Sequence, residues 1–152
     1  MLQSTTTVSE FADWWMKEKP FSVPKNPMRY FGPEISGVVI FRKDQFQAEL
    51  YIGRPHASAP RHSHPNIDSI EIGIAGLAVF DCDLKDYNKN KTRIHVHPNE
   101  MHTAHMGRVG GCFISFQKWS EGVEPTSVGY DWVGEAIDEK HAADISVHKE
   151  FV

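Results

Sequence analysis

The sequence predicts an all-β domain, an antiparallel barrel or sandwich with one short helix in front of it. Three observations carry that expectation. Beyond residue 36, apolar residues recur at every second position in short runs, the period of a half-buried strand. These runs are separated by clusters of Gly, Pro, Asn, Asp and Lys, which end strands and make turns. The length of 152 residues suits a single domain that buries a core of its own without disulfides.

The first element is the helix. Thr7 and Glu10 stand at capping-box spacing, Ser9 is a further candidate cap, residues 10–19 follow as one short helix, and Pro20 stops it. Phe11, Trp14 and Trp15 share one face at helical spacing, suited to packing against the domain or a partner subunit. Pro20, Pro24, Pro27 and Pro33 then keep the chain extended. Residues 37–41 and 46–52 form a hairpin across an RKDQ turn, with Phe46, Ala48, Leu50 and Ile52 on one face. Gly53, Pro55 and Pro60 mark a loop. Residues 67–74 alternate again and place Ile70, Ile72 and Ile74 on the core face. Gly76 breaks this strand, and residues 77–80 resume as another. The polar DLKDYNKNK is a surface turn. Residues 92–97 alternate around Ile94 and Val96, a short HTAHM strand interrupts the loop-like stretch 98–111, and residues 112–116 form a strand that ends near Trp119. After residue 122 the pattern is mixed, with one short helix near 135–142. The domain thus divides into a helix and arm (1–33), a barrel core (34–119) and a tail (120–152), without internal repeats.

Composition excludes several functions. The formal net charge is −4, against the basic surface a general nucleic-acid binder needs. No apolar run approaches membrane-spanning length. The start, MLQSTTTVSEF, has no basic segment followed by an apolar one, so no signal peptide is read. Two cysteines, Cys82 and Cys112, make neither a CxxC pair nor a disulfide framework. They are expected as reduced, half-buried thiols, and a cytoplasmic location follows.

Histidine is the unusual feature. Seven of nine histidines fall between His56 and His105, a concentration that suggests a metal or proton-transfer site. In RHSHPNIDSIEIGIAG, His62 and His64 are two apart and share a side on an extended chain. Two imidazoles so placed can grip one ion. Asp68 continues that parity with Ile70, Ile72 and Ile74, so all are expected to face the barrel interior. Glu71 has the opposite parity and is expected to point outward unless a bulge resets the register, which favours Asp68 over Glu71 as a carboxylate ligand. HVHPNEMHTAH offers a further imidazole. His95 and His97 are out of phase with Ile94 and Val96 and are expected outside. His102 restarts a strand after a proline turn and can aim inward, while His105 has the opposite parity.

HxH followed by a carboxylate and a glycine at a turn resembles the first motif of the cupin family. A strand, a proline turn and a later histidine resemble the second. The likeness spans residues 37–119. It implies a cupin-type antiparallel β-barrel (a double-stranded β-helix, or jelly roll) that binds one divalent metal ion through three histidines and usually a glutamate. The resemblance carries these roles to His62, His64 and His102, with the family glutamate falling at Asp68. Here the sequence departs from the pattern. Aspartate is shorter by a methylene, the spacing to Gly76 is one residue longer, that from Pro98 to His102 is one shorter, and Glu100 stands in place of a glycine.

Histidines with a carboxylate suit Fe(II), Mn, Ni, Co or Zn, and no thiolate narrows the choice. Glu71, His105 and Tyr51 are the candidates for catalytic acid or base. Trp119, Tyr130 and Trp132 are placed to cover a barrel mouth or to pack at an interface. The expectation is a metal-dependent enzyme (dioxygenase, isomerase or lyase) acting on a small polar molecule. The alternative is a non-catalytic module in which metal or pocket serves sensing or stability. A small-molecule partner, no nucleic acid, no membrane and a homodimer complete the expectations.

Overall fold

A computed structural model describes residues 2–25, 27–30, 34–59, 62–82, 93–119 and 128–129. The helix forms where its caps stand. In α1 (Val8–Glu18) the Thr7 hydroxyl accepts the Glu10 N–H at 3.1 Å, and the Glu10 carboxylate accepts the Thr7 N–H at 2.8 Å. These two bonds satisfy donors that a bare helix start leaves unpaired. Lys19, in the left-handed conformation, ends the helix by donating its N–H to the Trp15 carbonyl.

Eight strands follow: β1 (Met28–Tyr30), β2 (Ile35–Lys43), β3 (Phe46–Gly53), β4 (His62–Ser63), β5 (Ile67–Cys82), β6 (Arg93–Val96), β7 (His102–Trp119) and β8 (Val128–Gly129). Among the described residues they join in one antiparallel sheet. The β2–β3 hairpin closes over Asp44 and Gln45, with Lys43 opposite Phe46 and Asp44 in the left-handed region.

Two expected breaks are not breaks. Residues 67–74 and 77–80 belong to one strand, β5, and HTAHM is the start of the long strand β7. Gly76 bends β5 without ending it. Its φ is +61°, and a Cβ there would lie 2.5 Å from the Gly110 carbonyl oxygen, so the two backbones cross at a contact that only glycine permits. Pairing with β7 shifts between Gly73 and Ala75 and again between Gly76 and Ala78, then resumes as far as Cys82 opposite His102. The first half of β7 thus pairs β4 and the end of β5, and its second half pairs β3 and the start of β5.

Both faces of the β3–β7–β5 region are covered. Its outer face carries Phe46, Ala48, Ile114, Phe116 and Ile70, which pack with Val8, Phe11, Ala12 and Trp15 of α1. Phe11 is fully buried between Phe41, Phe46 and Phe116, with ring centroids 5.1–5.7 Å apart. The barrel interior holds a second buried cluster that includes Ile35, Tyr51, Ala78, Phe80, Ile94, Val96, Ala104, Met106 and Phe113. The core-face assignment of Ile70, Ile72 and Ile74 is therefore corrected. Ile70 and Ile72 pack on the outer, helix-covered layer, and Ile74 is exposed. No helix among the described residues is long and apolar enough to cross a membrane. Tyr130, Trp132 and the short helix expected near 135–142 lie outside the described residues.

Candidate metal centre

His62 stands directly opposite His102 in the β4–β7 pair, with ring centroids 4.2 Å apart. His64 follows two residues after His62, its ring 4.9 Å from that of His62 and 5.2 Å from that of His102. One nitrogen from each ring lies within 4.8 Å of the other two. Nitrogens bound to one ion at about 2.1 Å sit no more than about 4.2 Å apart, so small side-chain rotations suffice to close this set on an ion. His62 and His102 are buried and His64 is half-buried, which gives the set a shielded side and an approachable side.

The turn before His102 orients it. His102 Nδ1 lies 3.0 Å from the Glu100 carbonyl oxygen. A carbonyl only accepts, so Nδ1 carries the proton and Nε2 presents the lone pair, the usual state of a metal-binding imidazole. Asn99 adopts φ +64° and donates its N–H to the His64 carbonyl at 2.8 Å, while Glu100 donates its N–H to that of His97 at 3.1 Å. One tight turn therefore fixes the backbone at two of the three histidines. The Glu100 side chain is fully buried in this turn. From the sequence it registered only as a departure from glycine; its position two residues before His102 was the available signal.

Asp68 does not join this set. Its Oδ1 lies 2.6 Å from His95 Nε2 and 3.8 Å from His97 Nδ1, on the face opposite buried Ile67 and Ser69. The parity that runs from His62 to His64 is lost at Pro65 and Asn66. A turn there separates β4 from β5, and alternation does not carry across a turn. His95 and His97 do face outward, as expected.

Glu71 is corrected the other way. It points inward and is buried, and the Ser115 hydroxyl donates to its carboxylate at 2.9 Å. It belongs to a polar row across three strands, Glu49–Ser115–Glu71, flanked by the row Gln47–Gln117–Ser69, and all six side chains are buried. Tyr51 donates its hydroxyl to Glu49, as does the Gln47 amide, and the Tyr51 ring stacks on Phe113 at 5.1 Å. Gln47 also reaches Gln117 at 3.2 Å, and Gln117 donates to Ser115 at 3.1 Å. Burial raises the Glu71 carboxyl to about 7, against the hydrogen bond from Ser115 and with a smaller contribution from nearby Glu49. Such a group exchanges a proton near neutrality, the property a general acid or base needs. The alternation of Phe46, Ala48, Leu50 and Ile52 points to the other face of β3, and residues 112–116 read only as a strand, so Gln47, Glu49, Ser115 and Gln117 carry no signal in the sequence.

His105 stands on the opposite face of β7 from His102, since Ala104 and Met106 line the interior. Its Nδ1 meets the Ser58 hydroxyl at 2.7 Å, which removes it from the three-histidine cluster. Trp119 is buried beneath the Arg42 guanidinium, 5.2 Å from its ring centroid. Cys112 is a half-buried free thiol whose pKa burial raises.

No family model and no curated protein matches the chain by sequence. Solved structures do match by shape. KdgF from Halomonas sp. is 14% identical and aligns with a TM-score of 0.55 over 66% of this chain and 94% of its own. An RmlC-like cupin from Shewanella frigidimarina is 15% identical, with a TM-score of 0.53 over 67% of this chain and 92% of its own. A protein described as a "predicted oxalate decarboxylase" from Thermotoga maritima is 18% identical, with a TM-score of 0.53 over 65% and 99%.

Proposed function

The chain has the double-stranded β-helix fold of the cupin superfamily, and from that premise we propose that it is a metal-dependent enzyme acting on a small polar molecule. The observation that carries the reading is the convergence of His62, His64 and His102, three imidazole donors with no thiolate among them. A divalent first-row ion fits this donor set and supplies a Lewis acid for a substrate oxygen. Glu71 is the residue assigned to proton transfer, because it lies on the inner face with a carboxyl that ionises at about 7. Tyr51 is a positioning residue in this reading. It donates to Glu49, which lies in the same buried row as Glu71. The polar row on the barrel's inner wall supports a hydrogen-bonding substrate over an apolar one, since apolar ligands do not repay the burial of such groups. Decarboxylation of a small acid and isomerisation of a small polar molecule both suit this arrangement, and the name of the Thermotoga neighbour points toward the first.

A second reading has its own observation. Among the described residues β4 has two residues and meets β7 through the pair His62–His102, so an ion there would also help hold a short strand against β7. Elemental analysis of protein purified without added metal or chelator tests the common premise. His62→Ala and His102→Ala are each expected to lose one metal equivalent relative to wild type. Equal metal in all three proteins refutes the centre. Metal-loaded protein is then mixed with a panel of hydroxy acids, dicarboxylic acids and sugar acids, and consumption is followed by NMR. Turnover that falls at least tenfold in Glu71→Gln with metal content unchanged supports the enzyme. A large drop in Tm on metal removal, with no substrate consumed, supports the second reading.

A further inference from the structure

We propose that Asp68, His95 and His97 form a second metal site, on the outer face of the barrel, for one divalent ion of the zinc type. The three ligand atoms lie within 4.8 Å of one another. His95 Nε2 is 2.6 Å from Asp68 Oδ1, His97 Nδ1 is 3.8 Å from the same oxygen, and the two imidazole rings are 4.2 Å apart. The arrangement follows from the sheet. His95 and His97 are two apart on β6 and share its outer side. The register Ser69–Val96 and Ile70–His95 brings Asp68 of the neighbouring strand alongside them. The opposite side of the same strands is buried, with Ile94 and Val96 in the barrel interior, so this cluster and the interior histidines lie on different faces.

The donor chemistry selects the ion. Two imidazoles and one carboxylate suit zinc, cobalt, nickel or copper, whereas calcium and magnesium prefer oxygen donors throughout. The side chains are 35–57% exposed, so an ion can reach them and complete its coordination with water. The outer set is linked to the inner one through the backbone. The His97 carbonyl accepts the Glu100 N–H at the head of the turn that orients His102. The test therefore changes Asp68 and His95 and leaves His97 intact.

Chelator-stripped protein is titrated with ZnCl2 by calorimetry, and bound zinc is counted by elemental analysis after gel filtration. Asp68→Asn and His95→Ala are each expected to bind one zinc equivalent fewer than wild type, with unchanged circular dichroism. The His62→Ala/His102→Ala protein is expected to keep one equivalent, which disappears when Asp68→Asn is added. If the interior centre fails while this site stands, wild type binds one zinc and both outer variants bind none. Should the double variant not fold, the two outer variants against wild type still decide. Zinc stoichiometry in Asp68→Asn and His95→Ala equal to wild type would overturn the site and leave Asp68–His95 as a hydrogen bond that pins β6 to β5.

Discussion

The two faces of the β3–β7–β5 region are built from alternate residues of the same strands, yet they follow opposite rules. The outer face is apolar and is covered by α1, with Phe11 at its centre. The inner face, turned to the barrel interior, carries Gln47, Glu49, Ser69, Glu71, Ser115 and Gln117, all buried. Hydrophobic alternation identifies a buried face, but in a barrel with a docked helix the most apolar face need not be the lumen. Both layers bury an apolar cluster. The inner layer adds a row of polar groups that cost free energy to bury.

Removing the anchor of the outer layer should have the largest effect. Phe11→Ala is expected to cost about 3–5 kcal/mol, the range for a fully buried aromatic. Urea denaturation measures it, and a cost below about 1 kcal/mol would show that α1 is not a structural cover. The metal content of the folded variant should be unchanged, because the helix contributes to the opposite face.

Glu71→Gln tests the inner layer and has the opposite sign. The native carboxyl ionises near 7 and the unfolded one near 4.5. Between those values the native state holds more protons, so unfolding free energy falls as pH rises, and the penalty is complete above 7. Wild type, stripped of metal, should therefore lose up to about 3 kcal/mol between pH 4.5 and 8 from this group. Glu71→Gln should recover most of that loss at pH 8 and little at pH 4.5. Equal pH dependence in the two proteins would place Glu71 outside the low-dielectric interior.

Tyr51→Phe comes next. It removes a donor from buried Glu49 and should cost about 1–3 kcal/mol. A neutral result would mean that water replaces the hydroxyl and that the inner face is wetter than its burial indicates. Thr7→Ala is the smallest change. Loss of the cap on α1 should cost about 1 kcal/mol, measured by the same denaturation, and it should leave the pH profile of Glu71 unaltered.

Much of this organisation was legible in the residues. Thr7, Glu10 and Pro20 marked the helix because capping and proline act through local backbone chemistry. The strands of the hairpin and Ile94–Val96 showed their period, and the resemblance of the HxH and proline-turn motifs to cupins led to the observed fold. His62, His64 and His102 were singled out by residue type and spacing, and the structure brings them together. Asp68 and Glu71 sit on the faces opposite to those expected for two reasons: alternation does not carry from His64 into β5 across the turn at Pro65 and Asn66, and the apolar side of β5 at Ile70 and Ile72 faces α1 and not the lumen.

The sequence alone therefore determined what local rules govern: the capped helix, the strand periods, the acidic balance and a histidine-rich segment with metal-ligand spacing. Tertiary structure decided which side of each strand became the interior. That choice depends on the register shifts beside Gly76, on the turn between β4 and β5, and on the docking of α1. Each of these involves contacts between residues far apart in the chain, whose free energies no local pattern encodes. The same contacts placed Glu71 in the barrel and set Asp68 beside His95 and His97.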